Sequence, residues 1–251
     1  MKTEILYGIH PVFEVLKAGR REIFEIYIAK DKTSKRIEKV AALAESIEVP
    51  VEKVKPLELK SMAGTDLHQG IGAKTGPFPL TGISDIVDSI QRDEGNHLLL
   101  LLDNILDPNN LGALVRTALC VGVNGIVVPK DRSALPTPAV SKASAGALEH
   151  VRLARVTNMV KTIKTLIEKG LWIAGLDKAS DRSVFFSDLT GSVGIVIGGE
   201  EKGIRPLVKK HCDFLMSIPQ IGPVDSLNAS VAGAIAMYEV FRQQKFAKKN
   251  A

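Results

Sequence analysis

From Asn96 to Pro219 apolar runs recur at near-regular intervals: "LLLLLD" (98–103), "GIVVP" (125–129), "VRLARV" (151–156), "LWIAGLD" (171–177), "GIVIGG" (194–199) and "FLMSIP" (214–219). Each is five to seven residues long and nearly free of polar alternation, the signature of strands buried on both faces. Helical stretches separate most of them. Alternating strands and helices predict an α/β architecture with a mostly parallel sheet covered by helices.

The first 75 residues follow a different rhythm. "PVFEVLKAG" and "TSKRIEKVAALAES" carry helical spacing of apolar positions, while "EIFEIYIA" alternates as a strand and "HQGIGAK" closes the region as another. "TGPFPLTG" (75–82), dense in Gly, Pro and Thr, then reads as a linker, followed by a short helix at "SDIVDSIQ" and the polar "RDEGN". The expected organisation is a small N-terminal α/β domain over 1–75, a linker over 76–95 and a parallel-sheet domain over 96–251. No internal repeat or low-complexity tract is visible.

The last helix is unusual. In "SIPQIGPVDSLNASVAGAIAMYEVFRQ" (217–243) a helix is predicted to start near Asp225 or Ser226, with Ser226 as its N-cap. Its body is small and apolar, and no charge appears between Ser226 and Glu239. Its polar residues, Ser226, Asn228 and Ser230, gather at one tip, and capping by Ser226 leaves Asn228, a poor helix former, unexplained.

In open parallel sheets ligands bind beyond the carboxyl ends of the strands, so the segments following each strand matter most. After "LLLLLD" comes "NILDPNNLGALVRTALCVG", a turn into a helix in which Asn109 or Asn110 is the expected N-cap. Arg116 stands in that otherwise apolar helix and needs an anion or a route to water. After "GIVIGG" comes "EEKGIRP", where Gly198, Gly199 and Gly203 allow tight backbone. Ile204-Arg205 stands where a phosphate-binding P-loop needs Lys-Ser/Thr, and no G-x-G-x-x-G follows a strand.

Composition adds limits. Hydrophobic residues make up 45% and charged residues 24% of the 251-residue chain, as in ordinary globular proteins. The net charge of +5 is compatible with a polyanionic partner without demanding one. It is spread over both regions, and the basic clusters "KAGRR", "KDKTSKR" and "KFAKK" read equally as solvated helix ends. No apolar run is long enough to span a bilayer, and the N-terminus lacks a signal-peptide core. Cys120 and Cys212 read as free thiols, which places the protein in the cytoplasm. The five histidines are scattered without metal-ligand spacing, so no metal is expected.

Taken together, "DPNNLGALVRTA", "IVIGGEEKGI" and "SIPQIGPVDSLNASVAGAIAMYE" resemble the three ordered signature motifs of the SpoU (TrmH) family, SPOUT-class RNA ribose 2′-O-methyltransferases that use S-adenosylmethionine. The resemblance covers residues 96–245. "YGIHPVFEVL" and "HQGI" are similar to the ends of the small RNA-binding domain that some members carry. The family implies an α/β knot, with the C-terminal segment threaded through a loop, and a homodimer formed through the catalytic domain. It implies a guanosine ribose of 23S ribosomal RNA as substrate, with tRNA methylation or a non-catalytic role in ribosome assembly as alternatives. By position, Asn110 and Arg116 match the first motif's polar pair, Glu200 the acid of the second, and Ser226 and Asn228 the pair of the third. Backbone at Gly198, Ile218 and Leu227 is implied to hold the cofactor. Glu201 and Lys202 depart from the usual second motif. Family proposals give Arg116's counterpart the role of base. A guanidinium keeps its proton in almost any protein site, so the role read here is to clamp phosphate and stabilise charge developing on oxygen.

Overall fold

The computed structural model describes residues 2–223 and 226–246. Asp225, one of the expected starts of the last helix, and most of "KFAKK" lie outside them. The described residues form two compact units: one of Met1–Pro79 with Leu135–His150, the other of Leu80–Ala134 with Val151–Ala251.

The first unit is a four-stranded mixed sheet. Strands β1 (Glu4–Tyr7), β2 (Ile23–Ala29), β3 (Val51–Val54) and β4 (Ile71–Thr75) lie in the order β1-β4-β2-β3, and only β2 and β3 pair in parallel. Helices α1 (Ile9–Ala18) and α2 (Lys35–Ser46) bury Val12, Val15, Ile37 and Val40 against Leu6, Ile26 and Ile71. On the opposite face Leu59 of α3 (Pro56–Ala63) meets Tyr27 and Val54. Burial and the neighbouring Glu25 carboxylate push the Tyr27 phenol up to about 12.

The second unit is built on six parallel strands. These are β5 (Leu98–Asp103), β6 (Gly125–Pro129), β7 (Leu153–Val156), β8 (Trp172–Leu176), β9 (Val193–Gly198) and β10 (Phe214–Met216), in the order β10-β8-β9-β5-β6-β7. The strand most central to the apolar pattern, β5, is buried at all six positions and pairs with both β6 and β9. That double-sided burial is what its unbroken leucine run encodes. Helix α4 (Ile83–Arg92) presses Ile86, Val87 and Ile90 onto Leu99, Leu101 and Val127. α7 (Met159–Glu168) contributes Met159, Ile163 and Leu166 to the same core.

Two stretches fall differently from the sequence reading. The helix α4, read within the linker, belongs to the second unit because its apolar stripe finds cover there. Residues 135–150, read as part of the C-terminal region, belong to the first unit. Their helix α6 (Pro138–Ala143) and a following 3-10 turn (Ala147–His150) are fastened there by Glu149, whose carboxylate takes two hydrogen bonds from the Arg21 guanidinium at 2.7 and 3.1 Å. No local periodicity announces such a distant partner.

Among the described residues no helix is long and apolar enough to cross a membrane. Cys120 and Cys212 are free thiols, and burial pushes the Cys212 thiol up to about 12.

Candidate functional site at the strand ends

Helix α5 (Pro108–Val121) follows β5 after a short turn, and Asp107 caps it: its Oδ1 accepts a hydrogen bond from the Asn109 backbone N–H at 3.0 Å. The sequence reading gave that cap to Asn109 or Asn110. With Asp107 in place, Asn110 is released from capping and turns inward, 8% exposed.

The same exchange occurs at the last helix, α9 (Ala229–Phe246). It begins three residues later than expected from Ser226, and Asn228 performs the capping: its Oδ1 accepts from the backbone N–H groups of Ser230 at 2.9 Å and Val231 at 3.3 Å. Ser226 therefore does not cap the helix. With its oxygen turned to the helix, Asn228 aims its amide nitrogen outward. Nδ2 donates to Asn110 Oδ1 at 2.9 Å and to Glu200 Oε1 at 2.6 Å, and Asn110 Nδ2 donates to the same Glu200 oxygen at 2.7 Å. Three side chains separated by up to 118 positions thus close one node, each drawn from a different strand-end loop.

Glycine makes the middle loop possible. A Cβ on Gly198 would lie 2.0 Å from the Gly203 backbone, and one on Gly199 would lie 2.4 Å from the Asn104 carbonyl oxygen. Backbone on backbone leaves no room to relax, so these positions exclude every side chain. The loop is held from behind by Asp103, which is fully buried and receives Arg205 Nε at 2.8 Å and Arg205 backbone N–H at 2.8 Å. This pair was missed in the sequence. An acid at the end of a buried strand was its one available signal, since a buried carboxylate requires a partner.

Two hollows flank the node and share Gly199, Glu200 and Gly203. The first is lined by Leu176 and Asp177 at the end of β8, by Ile197 and Gly198 of β9, by Met216, Ser217 and Ile218 at the end of β10, and by Ser226, Leu227 and Ala232. All three residues expected to hold a cofactor by their backbone lie here. Asp177 pairs with Lys209 at its rim; burial opposes its charge, but Lys209 and the Ala179 N–H hold the carboxyl below its usual range. The second hollow, about 510 Å³, is lined by the Asn104–Asp107 turn, Asn110, Arg132 and the Gly199–Gly203 loop. The walls come from segments that follow β5, β6, β8, β9 and β10, as the parallel topology requires.

Arg116 is not brought to the node. It lies exposed on α5, lines neither hollow, and has no hydrogen bond or ion pair among the described residues. The spacing of six residues from Asn110 explains this: six steps of 100° place the two on different faces of the helix.

Small residues close the back of the site. A Cβ on Gly233 would meet Leu114 Cδ2 at 2.4 Å and Ile197 Cδ1 at 2.6 Å, so this glycine lets α9 approach both α5 and β9. The opposite side of α9 leaves Val231 and Tyr238 exposed, 46% and 51%, alongside Leu119 of α5 at 39%.

A parallel α/β domain whose hollows and polar node are assembled from strand-end loops defines a small-molecule or nucleotide-binding enzyme class rather than a structural module. The SpoU rRNA Methylase family model matches residues 97–238, and the chain belongs to that family. A second model, for RNA 2′-O ribose methyltransferase substrate binding, matches residues 5–80. The chain is 36% identical over 244 residues to a 23S rRNA (guanosine-2′-O-)-methyltransferase of Pseudomonas putida, covering 97% of this chain and 98% of the relative. The corresponding protein of Vibrio vulnificus is 38% identical over 244 residues, again 97% and 98%. Among solved structures, the SpoU methyltransferase AviRb of Streptomyces viridochromogenes in complex with AdoMet superposes with a TM-score of 0.80 at 22% identity, covering 96% of this chain and 90% of that one. That likeness establishes the shared fold.

Proposed function

We propose that this chain transfers the methyl group of S-adenosylmethionine to a ribose 2′-oxygen of RNA, and that its substrate is a guanosine of 23S ribosomal RNA. The observation that carries the reading is the node of Asn110, Glu200 and Asn228 standing between two hollows. The named relatives supply the substrate, and the family models supply the reaction class.

The first hollow suits the cofactor. Leu176, Ile197, Met216, Ile218 and Leu227 offer an apolar slot for a flat purine, while Glu200 supplies a carboxylate for a cationic ligand, Asp177 being paired with Lys209. Bound there, S-adenosylmethionine contributes an electrophilic methyl on sulfonium, which is the cofactor's own chemistry. The chain must align the ribose oxygen and exclude competing geometries. Asn110 and Asn228, each locked by two or more hydrogen bonds, fix Glu200 Oε1 at the junction. Ser226, on the cofactor side, completes the polar rim.

Arg116 enters this reading through a second copy of the chain. It lies one helical turn from exposed Leu119 on α5, which packs on α9, where Val231 and Tyr238 are also uncovered. Burying that apolar face in a homodimer carries the guanidinium toward a neighbouring node. There it stabilises charge developing on the ribose oxygen while keeping its own proton. The knotted thread of the C-terminal segment and a cytoplasmic location belong to the same proposal, as does RNA capture by residues 1–75.

The test is incubation with labelled S-adenosylmethionine and separate unmodified transcripts of 23S rRNA and tRNA. Label confined to 2′-O-methylguanosine of 23S rRNA is the expected result. Label in tRNA alone transfers the chemistry to the other substrate, and no label in either, with RNA still bound, leaves an assembly factor. Replacing Arg116 by Ala should lower the single-turnover rate about 100-fold, and sedimentation should find the wild type dimeric.

A further inference from the structure

We propose that Arg132 is a substrate-contacting residue that grips an RNA phosphate adjoining the reactive ribose; the inference rests on the methyl-transfer reading above. Neither the three motifs nor the family resemblance singles this residue out. It sits after β6, in the loop "PKDRSA", and lines the 510 Å³ hollow together with Asn110 and Glu200.

Three observations converge on it. First, the loop is anchored on both sides while Arg132 is left unengaged. Lys130 N–H donates to the Val156 carbonyl at 2.8 Å, Arg155 Nη2 donates to the Lys130 carbonyl at 2.6 Å, and Ala134 N–H donates to the Ile105 carbonyl at 2.7 Å. Between these ties the Arg132 guanidinium has no acid or hydrogen-bond partner among the described residues. A surface arginine of no purpose does not require a pinned loop on both flanks.

Second, its backbone is left-handed, φ 55°. Five non-glycine described residues have positive φ, and two of them, Asn104 (φ 64°) and Arg132, face this same hollow from the two loops joined by the Ile105–Ala134 bond. Arginine has no side chain suited to that conformation, unlike asparagine. Unfavourable backbone held by surrounding structure gathers at ligand sites.

Third, the charge inventory leaves a role to fill. The other ionisable groups lining the hollow are Asp107, Glu200, Glu201 and Lys202. Asp107 is turned to the α5 N-terminus, and Glu200 is held by the two amides. A ribose presented to the node brings a phosphate with it, into a wall that carries three carboxylates. Arg116 of the same chain is outside this hollow. A planar guanidinium that can take two phosphate oxygens at once fits this need better than the single point charge of Lys202.

The experiment measures methylation of unmodified 23S rRNA transcript by full-length wild type, Arg132→Ala and Arg132→Lys, with S-adenosylmethionine affinity measured separately. For Arg132→Ala the expected result is a KM for RNA raised tenfold or more, S-adenosylmethionine affinity within twofold of wild type, and a salt dependence of RNA binding shallower by about one unit of log–log slope. Arg132→Lys should recover part of the KM and the full slope. A wild-type KM and slope in Arg132→Ala overturn the inference, and so does joint loss of cofactor affinity and RNA binding, which would assign the residue a purely structural role. An inactive wild type overturns the reading beneath it instead.

Discussion

Two polar clusters in this molecule use the same chemistry to opposite ends. In the first unit Arg21 and Glu149, with side chains 0% and 1% exposed, close a network with Glu4 at 2.9 Å and Ser141 at 2.8 Å. Both Glu149 oxygens are engaged, and Arg21 and Glu149 are shut away from water, with Glu4 at the edge 20% exposed. In the second unit Asn110, Glu200 and Asn228 form an equally tight node, but Glu200 is exposed and, among the described residues, only one of its oxygens is committed. A buried network fixes structure because removing Arg21 or Glu149 strands the other's charge. An open node has capacity left over, and that capacity is where a substrate can be bound.

The contrast can be broken most forcefully at Glu149. Its replacement by Ala leaves the buried Arg21 guanidinium with Glu4 as its remaining acid and should cost about 3–5 kcal/mol in urea unfolding of the first unit, with cofactor affinity unchanged within twofold. If stability falls by less than about 1 kcal/mol, the Arg21–Glu149 network does not hold the first unit together.

Glu200→Gln probes the open cluster and should do the reverse. An amide keeps the shape but presents a nitrogen as readily as an oxygen to two donors, so the single-turnover methylation rate should drop on the order of 10–100-fold. Stability should move by less than about 0.5 kcal/mol, as for other exposed sites. A large stability loss with normal rate would make the node structural.

Asn228 holds both functions in one side chain, and substitutions can divide them. Asn228→Asp retains the oxygen that caps α9, while losing the amide donors and facing Glu200 with like charge. It should fold with near-normal stability and methylate poorly. Asn228→Ala should additionally lose about 1 kcal/mol through the missing cap. Equal stability of the two variants would remove the cap from the account.

The smallest effect is expected at Glu239 of α9, which lies between the two extremes. Arg242's hydrogen bond holds its carboxyl below the usual range, with burial opposing and Gln243 assisting. A depressed folded-state value means that its stabilising contribution is present above the unfolded carboxylate pKa and is lost as pH falls through the folded value. Glu239→Gln should therefore flatten the acid limb of the urea midpoint below about pH 4.5 and leave the neutral limb with the same slope.

Much of the architecture could be read in advance. The leucine run at 98–103 and "GIVVP" at 125–129 coincide with β5 and β6 to the residue, because unbroken apolar stretches between turns have few alternatives. Strands β1 and β3 were not individually legible: four residues with mixed burial carry too little pattern. At the site, the resemblance pointed to Asn110, Glu200 and Asn228, which the structure brings together, but the capping tasks shifted. Asp107 took the cap assigned to Asn109 or Asn110, and Asn228 the cap assigned to Ser226. Any short polar side chain can cap, and the choice is made by where the chain turns.

The sequence by itself determined the alternation of buried strands and helices, the glycines that only a tight loop can use, and the set of polar residues at the strand ends. Tertiary structure alone decided that Glu149 belongs with Arg21, that Asp103 anchors Arg205, that Asn228 meets Asn110 across 118 positions, and that Arg116 points away from all of them. The physical reason is range. Apolar burial and turn chemistry act between neighbours along the chain and leave a periodic trace, whereas a hydrogen bond between distant side chains depends on packing that brings both ends together and leaves no trace in either segment.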